Sequence, residues 1–194
     1  MPIAQLISPQ ALDLKKDQPG LVILDCRFAL EDPDYGQRSY AQGHIAGSSY
    51  ADLERDLSGT MVKGVTGRHP LPEPAQLIER LQAFGINVDS EVVLYDDGPG
   101  AYAARAWWLL AWLGKRDGVF ILDGGLKAWH AAGLPLSLDA PAITRGAFTG
   151  SPDTALLISA EQLQKRLARP ELTLIDARAP VSYTHLTLPT NREV

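Results

Sequence analysis

The chain has 194 residues, 45% apolar and 21% charged, with a net charge of −5, the composition of an ordinary globular protein with one domain and some length left over. Its basic residues are scattered, which argues against a nucleic-acid partner, whose binding needs a clustered positive surface. The longest apolar stretch, Ala101 to Leu113, contains Arg105 and is too short to cross a bilayer, so no membrane partner is expected.

Ser8-Pro9 reads as an N-cap followed by proline at the first helical position, opening a short helix. Leu21 to Leu24 is a compact apolar run closed by Asp25, a buried strand, and Asp32 to Gly36 reads as a turn-rich loop. Gly43 to Gly47 is a glycine-bracketed segment leading to a short strand near Ser48, and Ser58 to Pro72 is polar and irregular. Over Glu73 to Phe84 the residues Ala75, Leu77, Ile78, Leu81 and Phe84 share one helical face, with Gly85 as the stop. Val92 to Tyr95 is a strand, Asp96 to Gly100 a loop, Ala101 to Leu113 a helix, Val119 to Leu122 a strand, and Gly125 to Ala132 a helix capped by Gly133. Short unbroken apolar strands alternating with helices imply an α/β fold, a parallel sheet covered on both faces.

Leu134 to Ala155 is rich in Pro, Ala, Ser and Thr without periodicity and reads as an interdomain linker. The sequence then begins again. Leu6-Ile7-Ser8 recurs as Leu157-Ile158-Ser159, and Leu24-Asp25-Cys26-Arg27 recurs as Ile175-Asp176-Ala177-Arg178, both at one offset. That offset, about 150 residues, is domain-sized rather than a solenoid period. The expected organisation is a complete domain over 1–133, a linker over 134–155, and the start of a truncated second copy over 156–180, with a helix over Ala160 to Leu167 and a strand over Leu172 to Ile175. After Arg178 the agreement collapses, and 181–194 reads as a non-native tail.

In a parallel α/β sheet, ligands sit at the carboxyl ends of the strands. The best such place here is Tyr95-Asp96-Asp97-Gly98-Pro99-Gly100-Ala101, where a strand ends, a glycine loop turns and a helix begins. Backbone N–H groups and the helix dipole make an anion cradle there. A plain strand-to-helix turn with Asp96 or Asp97 as the cap fits the same residues. Two further readings attach to the loop. The residues after Asp97 match G-x-G-x-x-A, although on a late strand and behind two carboxylates that would repel a pyrophosphate. A strand followed by Asp-Asp also suits an aspartyl phosphotransferase, but no metal site or supporting Lys or Ser/Thr can be placed beside it.

Several motifs occur together: Asp25-Cys26-Arg27-Phe28, Tyr40-Ala41-Gln42-Gly43-His44-Ile45-Ala46-Gly47, Gly67-Arg68-His69-Pro70-Leu71-Pro72, Tyr95-Asp96-Asp97-Gly98, Ala104-Arg105-Ala106-Trp107-Trp108 and Leu122-Asp123-Gly124-Gly125. In combination the chain resembles the N-terminal half of the tandem rhodanese family, the thiosulfate and 3-mercaptopyruvate sulfurtransferases. The resemblance implies a rhodanese-like twisted parallel sheet flanked by helices on both faces, used twice. It also implies a catalytic cysteine in the second copy, which takes a sulfane sulfur from a small anionic donor as a persulfide and passes it to a thiophilic acceptor such as cyanide, without a cofactor. Asp96 stands where an active copy has that cysteine, and a carboxylate forms no persulfide. The chain alone is therefore expected to be inactive, leaving a non-enzymatic binding or regulatory module as the alternative.

The resemblance implies that Arg178 binds the donor anion, which suits a guanidinium. It implies that His69, supported by Asp52 and Glu54, assists proton movement near the active cysteine, although Glu54 stands where the family pattern has aspartate; a solvated loop histidine is the other reading of His69. Cys26 is the only cysteine, so no internal disulfide forms. It reads as a buried hydrophobe, Arg27 as an internal ion-pair partner, His44 as a structural hydrogen-bonding residue, and Trp107, Trp108 and Trp112 as packing. No histidine or cysteine spacing points to a metal. With a lone cysteine and no basic segment ahead of an apolar run at the N-terminus, a cytoplasmic location is expected.

Overall fold

A computed structural model describes residues 4–167, 169 and 172–175. The chain divides into two units, Met1–Leu156 and Leu157–Val194. The first is built on five parallel strands, β1 (Gln5–Ile7), β2 (Leu21–Asp25), β3 (Ser48–Tyr50), β4 (Glu91–Tyr95) and β5 (Val119–Leu122), in the order β1-β5-β4-β2-β3. Central β4 sends Val92 and Leu94 to one face and Val93 and Tyr95 to the other, and all four are fully buried. This is why strands covered on both sides read as unbroken apolar runs. Leu77 and Leu81 of α3 (Pro74–Ala83) and the apolar residues of α4 (Ala101–Trp112) cover the first face. Leu12 of α1 (Pro9–Lys15), with Leu126 and Trp129 of α5 (Gly125–Ala131), covers the second. The expected α/β architecture is therefore present.

The ends of the elements follow local chemistry. Ser8 Oγ accepts the Ala11 N–H at 3.2 Å, with Pro9 at the first helical position, as the sequence predicts. Two elements go beyond the sequence reading. Tyr35–Gln42, which begins inside the expected loop Asp32 to Gly36, forms helix α2. Its polar composition hides it, and packing against the β3 edge supports it instead, with Tyr40 Oη donating to Ser48 O at 2.6 Å. Strand β1 is only three residues long and gains its identity from pairing with β5.

Residues 134–155, read from sequence as a linker, run with Leu156 along the first unit as a strap. His44 and Ser137 exchange backbone bonds at 3.0 and 2.8 Å. Further on, Gly146 N–H donates to Gln82 O, Phe148 N–H to Ile86 O, Ser151 N–H to Leu113 O and Asp153 N–H to Trp112 O. Phe148 enters the core and is 1% exposed. The strap ends in a short 3-10 turn, Thr154–Leu156.

In the second unit, Ser159 caps helix α6 (Ala160–Gln164) through a capping box with Gln162, a shorter helix than the expected Ala160 to Leu167. The expected strand over Leu172 to Ile175 is not formed: its backbone is irregular, and among the described residues no strand pairs with it. A single extended segment has no ladder to satisfy its N–H and C=O groups. Arg178 and the tail 181–194 lie outside the described residues.

Candidate functional site

The carboxyl ends of β2 and β4 converge on one buried polar cluster. Asp25 closes β2, fully buried, and Arg27 follows it at 5% exposure. The Arg27 Nε lies 3.0 Å from both Asp25 oxygens, and Nη2 donates to Asp25 Oδ2 at 2.6 Å and to Gly43 O at 2.8 Å. Tyr95 Oη donates to Asp25 Oδ2 at 2.9 Å and also meets Ser48 Oγ and Ile45 N–H. A buried charge pair needs such additional bonds to offset desolvation. This Asp25–Arg27–Tyr95 network ties the ends of β2 and β4 to the α2–β3 connection, so Arg27 is an internal ion-pair partner.

The loop after β4 has a specific occupant. Asp96 is 1% exposed, and its carboxylate turns back into its own loop. Oδ1 accepts the N–H groups of Gly98 and Gly100 at 3.0 and 3.1 Å, and Oδ2 accepts those of Tyr102 and Ala103 at 3.0 and 3.1 Å. Two of these donors belong to the loop and two to the first turn of α4, where orphan N–H groups and the helix dipole favour an anion. The cradle foreseen from sequence is present, and the protein's own carboxylate fills it. The loop also fits tightly against α5. The Asp96 carbonyl accepts Leu126 N–H at 2.8 Å, and a Cβ on Gly125 would stand 2.4 Å from that carbonyl oxygen. A small cavity of about 240 Å³ lies alongside, between the loop and Gly124–Gly125.

This arrangement argues against both lesser readings of the loop. A pyrophosphate finds its N–H donors already taken, and an aspartyl nucleophile would have to give up the two hydrogen bonds on its attacking oxygen. The neighbouring Asp97 is half-buried and accepts a short hydrogen bond from Tyr35 Oη. That bond, followed by burial, raises the Tyr35 phenol above its ordinary pKa.

The remaining candidates separate. His69 Nε2 lies 3.4 Å from Glu54 Oε1, so the structure brings these two together. The His69 ring is also met edge-on by Phe28, with centroids 5.7 Å apart, and Phe28 in turn meets Tyr102 at 5.5 Å. Asp52 does not join them. It is buried, its Oδ1 accepting the N–H groups of Glu54 and Arg55 at 2.8 and 2.9 Å and its Oδ2 accepting from Arg55 Nη2 and Tyr50 Oη. It caps the 52–56 turn and so carries the backbone of Glu54.

Cys26 is buried in the core beside β2, its thiol facing Leu24 O at 3.8 Å. Burial first, then the charges of Asp25 and Asp96, push that thiol well above its ordinary pKa, the opposite of what a sulfur nucleophile needs. His44 is also buried, with ring nitrogens 2.9 Å from Tyr40 O and 3.1 Å from Asp139 O. Trp112 is buried and stacks on half-buried Trp108. Among the described residues no group of three or more His, Cys, Asp or Glu could hold a metal ion, and no helix is long and apolar enough to cross a membrane.

Sequence reasoning overlooked Arg105 and Tyr95. Arg105 is the single charge within an otherwise apolar helix, and that was the available signal. It reaches the irregular segment that carries His69, where its guanidinium binds the backbone carbonyls of Leu57, His69 and Pro70. Tyr95 closes an apolar strand, and nothing in the sequence separates its hydroxyl role from packing.

Residues 8–132 match the family model described as the rhodanese-like domain. A Pseudomonas aeruginosa protein named "Probable 3-mercaptopyruvate sulfurtransferase" is 61% identical over 92% of this chain. The thiosulfate sulfurtransferase of Azotobacter vinelandii is 32% identical over 92% of it. The chain spans 63% and 61% of the lengths of these two relatives. The crystal structure of SseA from Escherichia coli, described as showing the rhodanese fold of 3-mercaptopyruvate sulfotransferases, matches 93% of this chain and 68% of its own at a TM-score of 0.83 and 28% identity.

Proposed function

This chain belongs to the rhodanese family, and from that premise we propose that it is the non-catalytic first domain of a tandem sulfurtransferase. In this reading the first domain runs through the strap to Leu156, and the second copy starts at Leu157. The longer protein moves a sulfane sulfur from thiosulfate or 3-mercaptopyruvate to a thiophilic acceptor such as cyanide, in the cytoplasm and without a cofactor. With thiosulfate, a thiolate of the second copy attacks the sulfane sulfur, the S–S bond breaks, and sulfite leaves with the bonding pair. Cyanide then attacks the outer sulfur of the persulfide, and the thiolate is regenerated as thiocyanate departs.

The observation that carries the reading is the Asp96 carboxylate bound by four backbone N–H groups. Where an active copy gathers N–H donors around a thiolate, this copy has supplied its own fixed anion. The carboxylate has the right charge for the cradle but no polarizable atom with which to accept sulfur. The Glu54–His69 pair supports a contribution from this domain to the other copy's chemistry, since a carboxylate-bound imidazole can hold or pass a proton. Arg178 belongs to the second copy in this reading and binds the donor's anionic group.

The filled cradle also suits one other reading, a rhodanese-like module that binds or regulates without turnover. One assay separates them. The purified chain is compared with the same chain followed by a complete second rhodanese copy, using thiosulfate or 3-mercaptopyruvate as donor and cyanide as acceptor. The chain is expected to form no thiocyanate above a Cys26→Ala control, and the longer protein to turn over. Turnover by the chain alone would overturn the proposal, and an inert longer protein would favour the module.

A further inference from the structure

We infer that Arg105 is a positioning residue: it pins the excursion that carries His69 and so holds the Glu54–His69 pair against the body of the domain. The inference rests on the role proposed above for that pair.

Between β3 and α3 the chain runs from Ala51 to Glu73 without a helix or strand. An excursion of this length needs something to hold its two ends together, because most loops without secondary structure are shorter. Here the two ends meet at one guanidinium. Arg105 reaches out of α4, and its Nε and Nη2 donate to Leu57 O at 3.4 and 3.2 Å, at the outgoing end. Nη2 also donates to Pro70 O at 3.0 Å and to His69 O at 3.3 Å, at the returning end. A guanidinium is the side chain suited to this, with several donors in one plane and no acceptor of its own. The ends are further joined by Gly59 N–H to Pro70 O at 3.0 Å.

The energetics set this arginine apart from an ordinary ion-pair partner. It is half-buried, and among the described residues no carboxylate lies within ion-pair distance. Its binding partners are carbonyl dipoles alone. A desolvated cation without a counter-charge contributes less to stability than a paired one, so what Arg105 supplies here is the geometry it imposes on those carbonyls. That geometry reaches the functional residues directly. Arg105 binds the carbonyl of His69 itself, while Phe28 holds the imidazole edge-on and Glu54 meets Nε2. One turn earlier on the same helix, the N–H groups of Tyr102 and Ala103 hold Asp96. Helix α4 therefore fixes the filled cradle and the histidine as one rigid unit.

The test is amide hydrogen exchange by NMR on the chain and on Arg105→Met, which keeps the length of the side chain and removes its donors. A local clamp predicts exchange at least about tenfold faster at Gly59, Val65 and Thr66, with Val93 and Leu94 in the sheet nearly unchanged. The Phe28–His69 ring contact, read as a nuclear Overhauser effect, is expected to weaken in the same variant. Equal acceleration in the excursion and the sheet, or none, would overturn the inference. If Arg105→Met does not fold, Arg105→Lys decides: its single ammonium binds fewer carbonyls, so an intermediate local acceleration is expected, and a native exchange pattern overturns the clamp. In the longer protein, His69→Gln and Arg105→Met should both lower kcat with KM little changed, and Arg105→Lys should recover part of the loss. Local loosening in Arg105→Met without any effect of His69→Gln on kcat would remove the proposed role of His69 and leave the clamp standing. An effect of His69→Gln with no loosening and no kcat loss in Arg105→Met would remove the clamp.

Discussion

Replacing Asp96 with asparagine preserves the shape of the side chain and halves its acceptor capacity. The native carboxylate accepts four N–H groups, two on each oxygen. Asparagine can offer one oxygen to one pair of donors and must turn its NH2 toward the other pair. Two charge-assisted hydrogen bonds are lost, each contributing about 1.5–3 kcal/mol, and the surviving pair becomes neutral. Part of the loss is recovered because Gly98 and Pro99 are exposed and water can reach the loop donors. The donors of Tyr102 and Ala103 have less access, Ala103 being fully buried. The net cost should be about 3 kcal/mol, which for a domain of this size lowers the melting temperature by about 6–12 °C. Urea unfolding followed by tryptophan fluorescence gives the free energy directly, provided the slope is unchanged. A cost below about 1 kcal/mol would refute the reasoning, because Asp96 would then not be the anion that organises the loop.

Further outcomes follow from the same geometry. Cys26 should resist thiol reagents at pH 8 in the folded chain and react at once in urea. Because burial raises its folded pKa, its contribution to stability is fully present below the unfolded value of about 8.5 and is lost as pH rises beyond it, at up to about 1.4 kcal/mol per pH unit. Urea midpoints between about pH 8.5 and 10, below the range where tyrosines with raised pKa values add a slope of the same sign, should show the slope in the native chain and lack it in Cys26→Ala. Asp96→Cys in a Cys26→Ala background puts a thiol under the same four N–H groups, which favour the thiolate; iodoacetamide should label it at neutral pH, and an inert thiol would argue against an anion cradle. Arg27→Met leaves Asp25 buried without its counter-charge and should cost about 3–5 kcal/mol in urea unfolding. Phe148→Ala should cost about 3–5 kcal/mol as well, whereas a strap that merely connected domains would tolerate it.

What could be read in advance depended on how each element acquires its order. Strands β2, β4 and β5 are buried on both faces and announce themselves as apolar runs, and α3 shows its buried face by spacing. The Asp96 loop was legible because a strand end, glycines and a helix start are all local features. Strand β1, helix α2 and the strap owe their structure to distant partners: β1 to the β5 register, α2 to the β3 edge, and Phe148 to a core pocket formed by other segments. Within the site, the pairing of His69 with Glu54 rather than Asp52 turns on which carboxylate the 52–56 turn consumes as its cap, a matter of rotamer rather than composition. The role of Arg105 is not legible in the sequence because its partners are carbonyls, which every residue has and no sequence pattern marks.

The central claim is that the loop of this domain holds an anion unable to accept sulfur. It is tested most directly by mass spectrometry of the intact purified chain after incubation with excess thiosulfate or 3-mercaptopyruvate. The account predicts an unchanged mass under native conditions. A native product carrying one added sulfur atom on the protein would contradict it.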